Sequence, residues 1–374
     1  MCSDLLRTPL LALAFALAGN APAQPVAGAA VATPLRAVIA TAQAMPYAQL
    51  QGEQAVGGFT LQLYRAIAQR LGRPLETVLL PRQRLEGAAQ AGDYELRCQF
   101  EPLGTAQSPA YSWSAPLLSG SDLLVGHRDA AAVQSLDELA PGQPIGTVNG
   151  YAYPVLEPLL ATGRLRRDDA LTEERALRKL ALNRPAYAAV ESRALAWQRQ
   201  HGTDAIGAPW RLPLGRLQYL CAVPQAGRTA AAPLLAAIEE LRAGGQVARI
   251  AAAELPPREI VVVAAAGSRL APLDREALVA LYMGQRPVGV DGAPSRLLAQ
   301  RGELRDSFHA QVLRRDAAQI RMAWSQLVFS GRAKAPLELT STAELRERLL
   351  ADPQAIGYMD VADVDERLRI LFAQ

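Results

Sequence analysis

Cysteine, histidine and lysine are scarce in this chain. Its 374 residues hold three cysteines and three histidines. Cys2, Cys98 and Cys221 form no CxxC pair, and His127, His201 and His309 are scattered. That pattern lacks the clustered ligands that a structural metal site wants. It also offers a cysteine nucleophile no histidine that the sequence places beside it. Lysine occurs only at Lys179 and Lys334, so arginine carries nearly all the positive charge. The net charge of +3 is small and evenly spread, which argues against nucleic acid or a membrane surface as partner. No stretch after the first twenty-odd residues is long and apolar enough to span a bilayer.

What is present begins with a leader. Arg7 precedes the apolar run Leu10–Gly19 and the small-x-small pattern Ala21-Pro22-Ala23, which reads as a secretory signal cleaved near Ala23. The expected mature protein of about 350 residues is a periplasmic chain of two or three domains. It keeps Cys98 and Cys221 in a compartment where thiols oxidise, so a structural disulfide is the leading reading, with metal binding and nucleophilic chemistry as rivals.

Beyond Thr33, strand and helix patterns alternate. Leu35–Ala40 reads as a strand. Thr60–Leu71 reads as a helix, with Leu63, Ile67 and Leu71 four apart and Gly72 and Pro74 as stops. The strand Leu75–Leu80, the short helix Gln83–Ala91 and the strand Tyr94–Phe100 follow, the last carrying Cys98. Trp113–Gly126 is extended and apolar, and Ser135 with Glu138 forms a capping box. A second unit has strands at Ile145–Val148 and Ala186–Val190 and helices at Tyr151–Leu160 and Glu173–Leu182. Strand Leu217–Val223 and helix Ala231–Ala243 lead to a linker, 254–257, in "ELPPREI", and "IVVVAAAG" opens a third alternating segment. Such alternation predicts an α/β protein with parallel sheets.

The order of "LRAVIAT", "MPY", "GGFTLQLYRAIAQRLG", "RLEGAAQAGDYELRC", "YSWSAPLLSGSDLLVG", "SLDELAPGQPIGTVNGYAYP" and "AIEELRAGGQVARI" over 35–253 resembles bacterial extracellular solute-binding proteins of family 3. The resemblance implies a two-lobed type 2 periplasmic binding fold, with lobe I at 35–125 and 217–253 and lobe II at 126–216. It also implies that the returning strand Leu217–Val223 lies beside the strand after the "AGDYE" turn, pairing Cys221 with Cys98. Residues 258–374 resemble part of the phosphate-transporter type of substrate-binding protein through "LDREALVALYMGQRP", "LRDSFHAQVL", "AWSQLVFSGRAKAP" and "QAIGYMD". The Ser-Gly-Thr phosphate grip of that type is missing, and a smaller C-terminal α/β domain is expected.

The family resemblance also nominates a cleft. Its ligand-gripping arginine falls on Gln107, so the usual carboxylate clamp is lost. Its lobe II aspartate falls on Ser192 or Glu191, of which only Glu191 can hold an amino group. Tyr47 occupies a stacking position, or packs at a strand end. Arg82 is a candidate anion fork, or a solvated helix-start charge. Arg97 is a further candidate beside Cys98. Asn149, Gly150 and Tyr151 would open a helix whose free N–H groups suit an anion. The expected function is a monomeric periplasmic solute-binding protein, not an enzyme and without a cofactor. It would close on a small polar or anionic solute and deliver it to a membrane permease. The alternatives are a ligand sensor for a membrane signalling protein and a dehydratase-like enzyme.

Overall fold

The computed structural model describes residues 32–102, 108–202, 210–226, 230–286, 294, 296–331 and 333–373. The leader and Gln107 lie outside these residues. The first part of the chain comprises strands β1 (Leu35–Ala40), β2 (Gln49–Gln51), β3 (Gln54–Gly57), β4 (Leu75–Leu80), β5 (Leu96–Pro102), β6 (Tyr111–Trp113), β7 (Leu118–Gly126), β8 (Gln143–Val148), β9 (Leu165–Ala170), β10 (Tyr187–Glu191) and β11 (Arg211–Pro224). Its helices are α1 (Phe59–Arg70), α2 (Leu85–Ala91), α3 (Glu157–Ala161), α4 (Glu173–Ala181), α5 (Ser192–His201), α6 (Ala231–Ala243) and α7 (Gln246–Glu254).

Strand order runs β4-β1-β5-β11-β7-β10-β8-β9, with β6 on β11. The two ends of this order are parallel: β1 pairs with β4 and β5, and β8 with β9 and β10. Helical crossovers through α1, α2, α3 and α4 make these parallel neighbours possible. The two groups are joined by antiparallel β7 and β11. Residues 211–219 of β11 pair with β7, and 217–222 pair with β5. Two lobes therefore share one pair of long connecting strands, the α/β architecture that the sequence resemblance implies.

In lobe I, α1 buries Phe59, Leu63, Tyr64 and Ile67 against the sheet and against Leu234, Ile238, Val247 and Ile250 of α6 and α7. Cys98 and Cys221 stand opposite each other across β5 and β11 and form a disulfide. They lie inside this same core.

Three local expectations change. The strand expected at Leu217–Val223 is the second half of the 14-residue β11. The capping box expected at Ser135 and Glu138 does not form: the Ser135 side chain accepts from the Asp137 N–H and Glu138 from the Gln134 N–H, around a 3-10 turn at Leu136–Glu138. The helix expected over Tyr151–Leu160 is reduced to α3. Pro154 lies before it, and Pro158 occupies its first turn, where a missing N–H is tolerated.

Beyond α7 come β12 (Ile260–Ala265), α8 (Arg275–Tyr282), β13 (Arg296–Gln300), α9 (Glu303–Ser307), α10 (Ala317–Phe329), β14 (Leu337–Leu339), α11 (Thr342–Ala351), β15 (Ala355–Asp360) and β16 (Leu368–Phe372). They build a separate five-stranded sheet, ordered β14-β13-β15-β12-β16. Alternation along β12 sends Ile260 and Val262 to one core with Leu278, Phe308 and Trp324. Val261 and Val263 enter another that also holds Leu123 and Val125 of the connecting strand β7 and Leu177 and Val190 of lobe II. Polar contacts continue this junction: Arg211 pairs with Glu259, Arg216 with Asp363 at 3.4 Å, and Ser121 Oγ donates to the Val364 carbonyl at 2.9 Å. The second sheet is thus seated against lobe II and both connecting strands.

Candidate functional site

The cleft between the lobes is built around one direct bond. Tyr47 sits in the loop after β1, held by N–H donations from Phe59 to the Pro46 carbonyl and from Thr60 to the Tyr47 carbonyl. Gly58 permits this approach. A Cβ there would lie 2.6 Å from the Tyr47 carbonyl oxygen, and its φ of 93° favours glycine. So positioned, the Tyr47 hydroxyl crosses to lobe II and donates to Glu191 Oε2 at 2.8 Å. Its ring meets Phe100 edge-on at 5.1 Å and lies roughly parallel to that of Tyr219 at 6.1 Å.

Glu191 ends β10 and caps α5. Its carboxylate accepts from the N–H groups of Arg193 and Ala194 and from Ser192 Oγ, besides Tyr47. Its own N–H donates to Glu173 Oε1 at 2.8 Å. Glu173 opens α4 and is buried. Asp122, on β7, is directly opposite Glu191 in the strand register and only 8% exposed. Among the described residues no donor reaches the Asp122 carboxylate. Burial, then the nearby Glu173 and Glu191, hold the Asp122 carboxyl well above the ordinary range. Burial and then Glu191 push Glu173 up to about 8, against a lowering by the Glu191 N–H.

Tyr47, Arg82, Phe100, Asp122, Tyr151, Glu173, Glu191 and Tyr219 line an inner chamber of about 50 Å³. An outer chamber of about 370 Å³ is lined by Arg82, Gln83, Arg97, Glu101, Trp113 and Gly150. Arg82 lines both, its guanidinium 5.1 Å from the centre of the Tyr151 ring. Among the described residues it makes no ion pair.

Of the residues nominated by sequence, Tyr47, Arg82, Tyr151 and Glu191 are brought together in the inner chamber. Arg97 borders the outer one but is held in place by Glu86 at 2.9 Å, Glu101 at 3.7 Å and the Tyr111 ring at 4.3 Å. Gly150 reaches the outer chamber, whereas Asn149 is exposed and its N–H is spent on the Ala170 carbonyl. The expected helix start at 149–151 does not exist, because Tyr151–Tyr153 is irregular backbone. Asp122 and Glu173 were not nominated. One signal was readable: Asp122 is the lone charge in the apolar run 117–126. Glu173 gave none, since an acidic first turn is ordinary helix chemistry.

No protein-family model matches the chain, and no curated protein matches it. Among solved structures it is similar to the GluR0 ligand-binding core from Nostoc punctiforme in complex with (L)-glutamate, at 16% identity and a TM-score of 0.49, covering 60% of this chain and 100% of that one. It is similar to an ancestral arginine-binding protein bound to arginine, at 19% identity and 0.49, covering 60% and 99%. A histidine kinase sensor domain with similarity to periplasmic binding proteins gives 20% and 0.49, covering 60% and 96%. The strand order and paired connecting strands of this chain are those of the type 2 periplasmic binding architecture. The fold is two-lobed.

Proposed function

We propose that this chain is an extracytoplasmic binding protein that closes its two lobes on a small polar solute, without catalysis. The observation that carries the reading is the Tyr47–Glu191 bond, which joins the lobes across a chamber lined from both sides. A ligand that touches both lobes binds only the closed form, and that differential affinity is what drives closure. The Cys98–Cys221 disulfide and the leader pattern support a periplasmic setting. Delivery to a membrane permease is the first reading of the closed form's use. A sensor or adaptor role is favoured by one feature, the second sheet seated on both connecting strands, where lobe motion reaches it. For residues 258–374 the likeness to the phosphate-transporter type stands as part of this proposal, without its phosphate grip.

Small-angle scattering of the full chain against a library of free amino acids, polyamines and organic acids tests the binding reading. Compaction with at least one class is expected. An unchanged radius of gyration across the library, with no small molecule released on denaturation, would overturn it.

A further inference from the structure

We infer that the solute presents a cationic nitrogen, an amine or guanidinium, to Asp122 and Glu173 in the inner chamber, while the rest of it occupies the outer chamber. This rests on the solute-binding reading above and names the chemistry of that same cleft. The first support is register. Asp122 and Glu191 are direct cross-strand partners, and like charges so opposed destabilise a sheet. The second is satisfaction. Glu191 already accepts from four donors, whereas Asp122 is nine-tenths buried, lines the chamber and receives none among the described residues. A buried carboxylate without a partner is costly, and a cation entering the chamber would supply one.

Size and walls agree. The inner chamber, about 50 Å³, suits a small head group rather than a whole solute. Its walls include the rings of Tyr47, Phe100, Tyr151 and Tyr219, and aromatic faces attract cations. Arg82, at the meeting of the two chambers, is placed to receive a polar or anionic tail. An acid without an amine would instead bring its charge against the Glu191 carboxylate and offer Asp122 and Glu173 no counter-charge. Arg193, which feels the Glu191 charge, donates to the Ser119 carbonyl and lies 4.0 Å from Asp360.

The buried carboxyls of the chamber favour their protonated forms, and a bound cation would reverse that preference. Glu173 is raised to about 8 and Asp122 is raised in the same direction. The groups around them are Glu191, Tyr47, Tyr151, Tyr153, Arg82 and Arg193. Binding a cation near pH 7 would therefore release protons from these carboxyls.

The test incubates the full chain with an equimolar mixture of putrescine, L-lysine, L-arginine, L-glutamate, succinate and glucose, and separately with a bacterial small-molecule extract. After gel filtration and denaturation, released compounds are identified by mass spectrometry. Every retained compound is expected to carry an amine or guanidinium. Calorimetry with it in buffers of different ionisation enthalpy should show proton release. Asp122→Asn and Glu173→Gln should each weaken binding by roughly 10–150-fold, with melting temperatures not lowered. Retention of succinate or glucose, or unchanged affinity in both variants, would overturn the cation assignment and leave solute binding standing. Retention of nothing from mixture or extract would overturn both.

Discussion

Glu173→Gln isolates one buried carboxyl, and the pH dependence of stability reports it. In the native chain burial and then the Glu191 carboxylate raise this group from an ordinary 4.5 to about 8. Between those values the folded protein keeps a proton that the unfolded chain releases. The neutral carboxyl's contribution is therefore fully present below about pH 4.5 and is lost as pH rises through about 8. At about 1.4 kcal/mol per pH unit, the range from 4.5 to about 8 bounds the loss at roughly 5 kcal/mol, and relaxation of the cleft would reduce it to a few. Asp122 acts in the same direction. Urea unfolding of the wild type and Glu173→Gln at several pH values from 4.5 to 8.5 measures the difference. The wild type should lose several kcal/mol relative to the variant as pH rises. Parallel stability curves for the two proteins would refute the argument that Glu173 is buried beside a like charge.

The disulfide closes a loop with a sequence separation of 123, for which the chain-entropy model gives about 5 kcal/mol as an upper figure. Reduction should lower the unfolding midpoint accordingly, and free thiols titrating in the exported, unreduced protein would contradict the pairing. Arg82→Ala should weaken binding of the retained solute roughly a hundredfold with little change in unliganded melting temperature, because the side chain is half-buried and, among the described residues, makes no ion pair and stacks over Tyr151. Unchanged affinity by calorimetry would remove it from the site. A fragment of 258–374 retains the core around Ile260, Val262, Phe308 and Trp324 but uncovers the side that Val261 and Val263 share with lobe II. It should fold by circular dichroism yet melt below the full chain, and an unfolded fragment would show that its sheet depends on lobe II.

Elements with strong local patterns were legible in the sequence. Leu35–Ala40, Leu75–Leu80 and Ala231–Ala243 have the bounds that their periodicity and stop signals give. The Cys98–Cys221 pairing followed from the family's strand order, not from the cysteines themselves. Two elements carried misleading chemistry. β9, "LRRDDA", is a charged edge strand without apolar alternation, and α5 begins at a Glu191 cap instead of the usual Ser, Thr, Asp or Asn. Proline decided the region after Gly150, where an apolar helical pattern gave way to irregular backbone. The site was half legible. Tyr47, Arg82, Tyr151 and Glu191 came from family positions, but the meeting of Asp122, Glu173 and Glu191 depends on the register of β7 with β10, which no local pattern encodes.

Closure of the lobes around an amine is the central claim, and a distance across the cleft reads it. Spin labels on cysteines introduced at the exposed positions Gln69 of α1 and Arg175 of α4 span the two lobes, and pulsed electron paramagnetic resonance gives their separation. Saturating amine solute should collapse a broad distribution to a single short distance in the wild type and should do so only at much higher concentration in Asp122→Asn. A distribution that no retained compound narrows, or one that narrows equally in Asp122→Asn, would contradict the account.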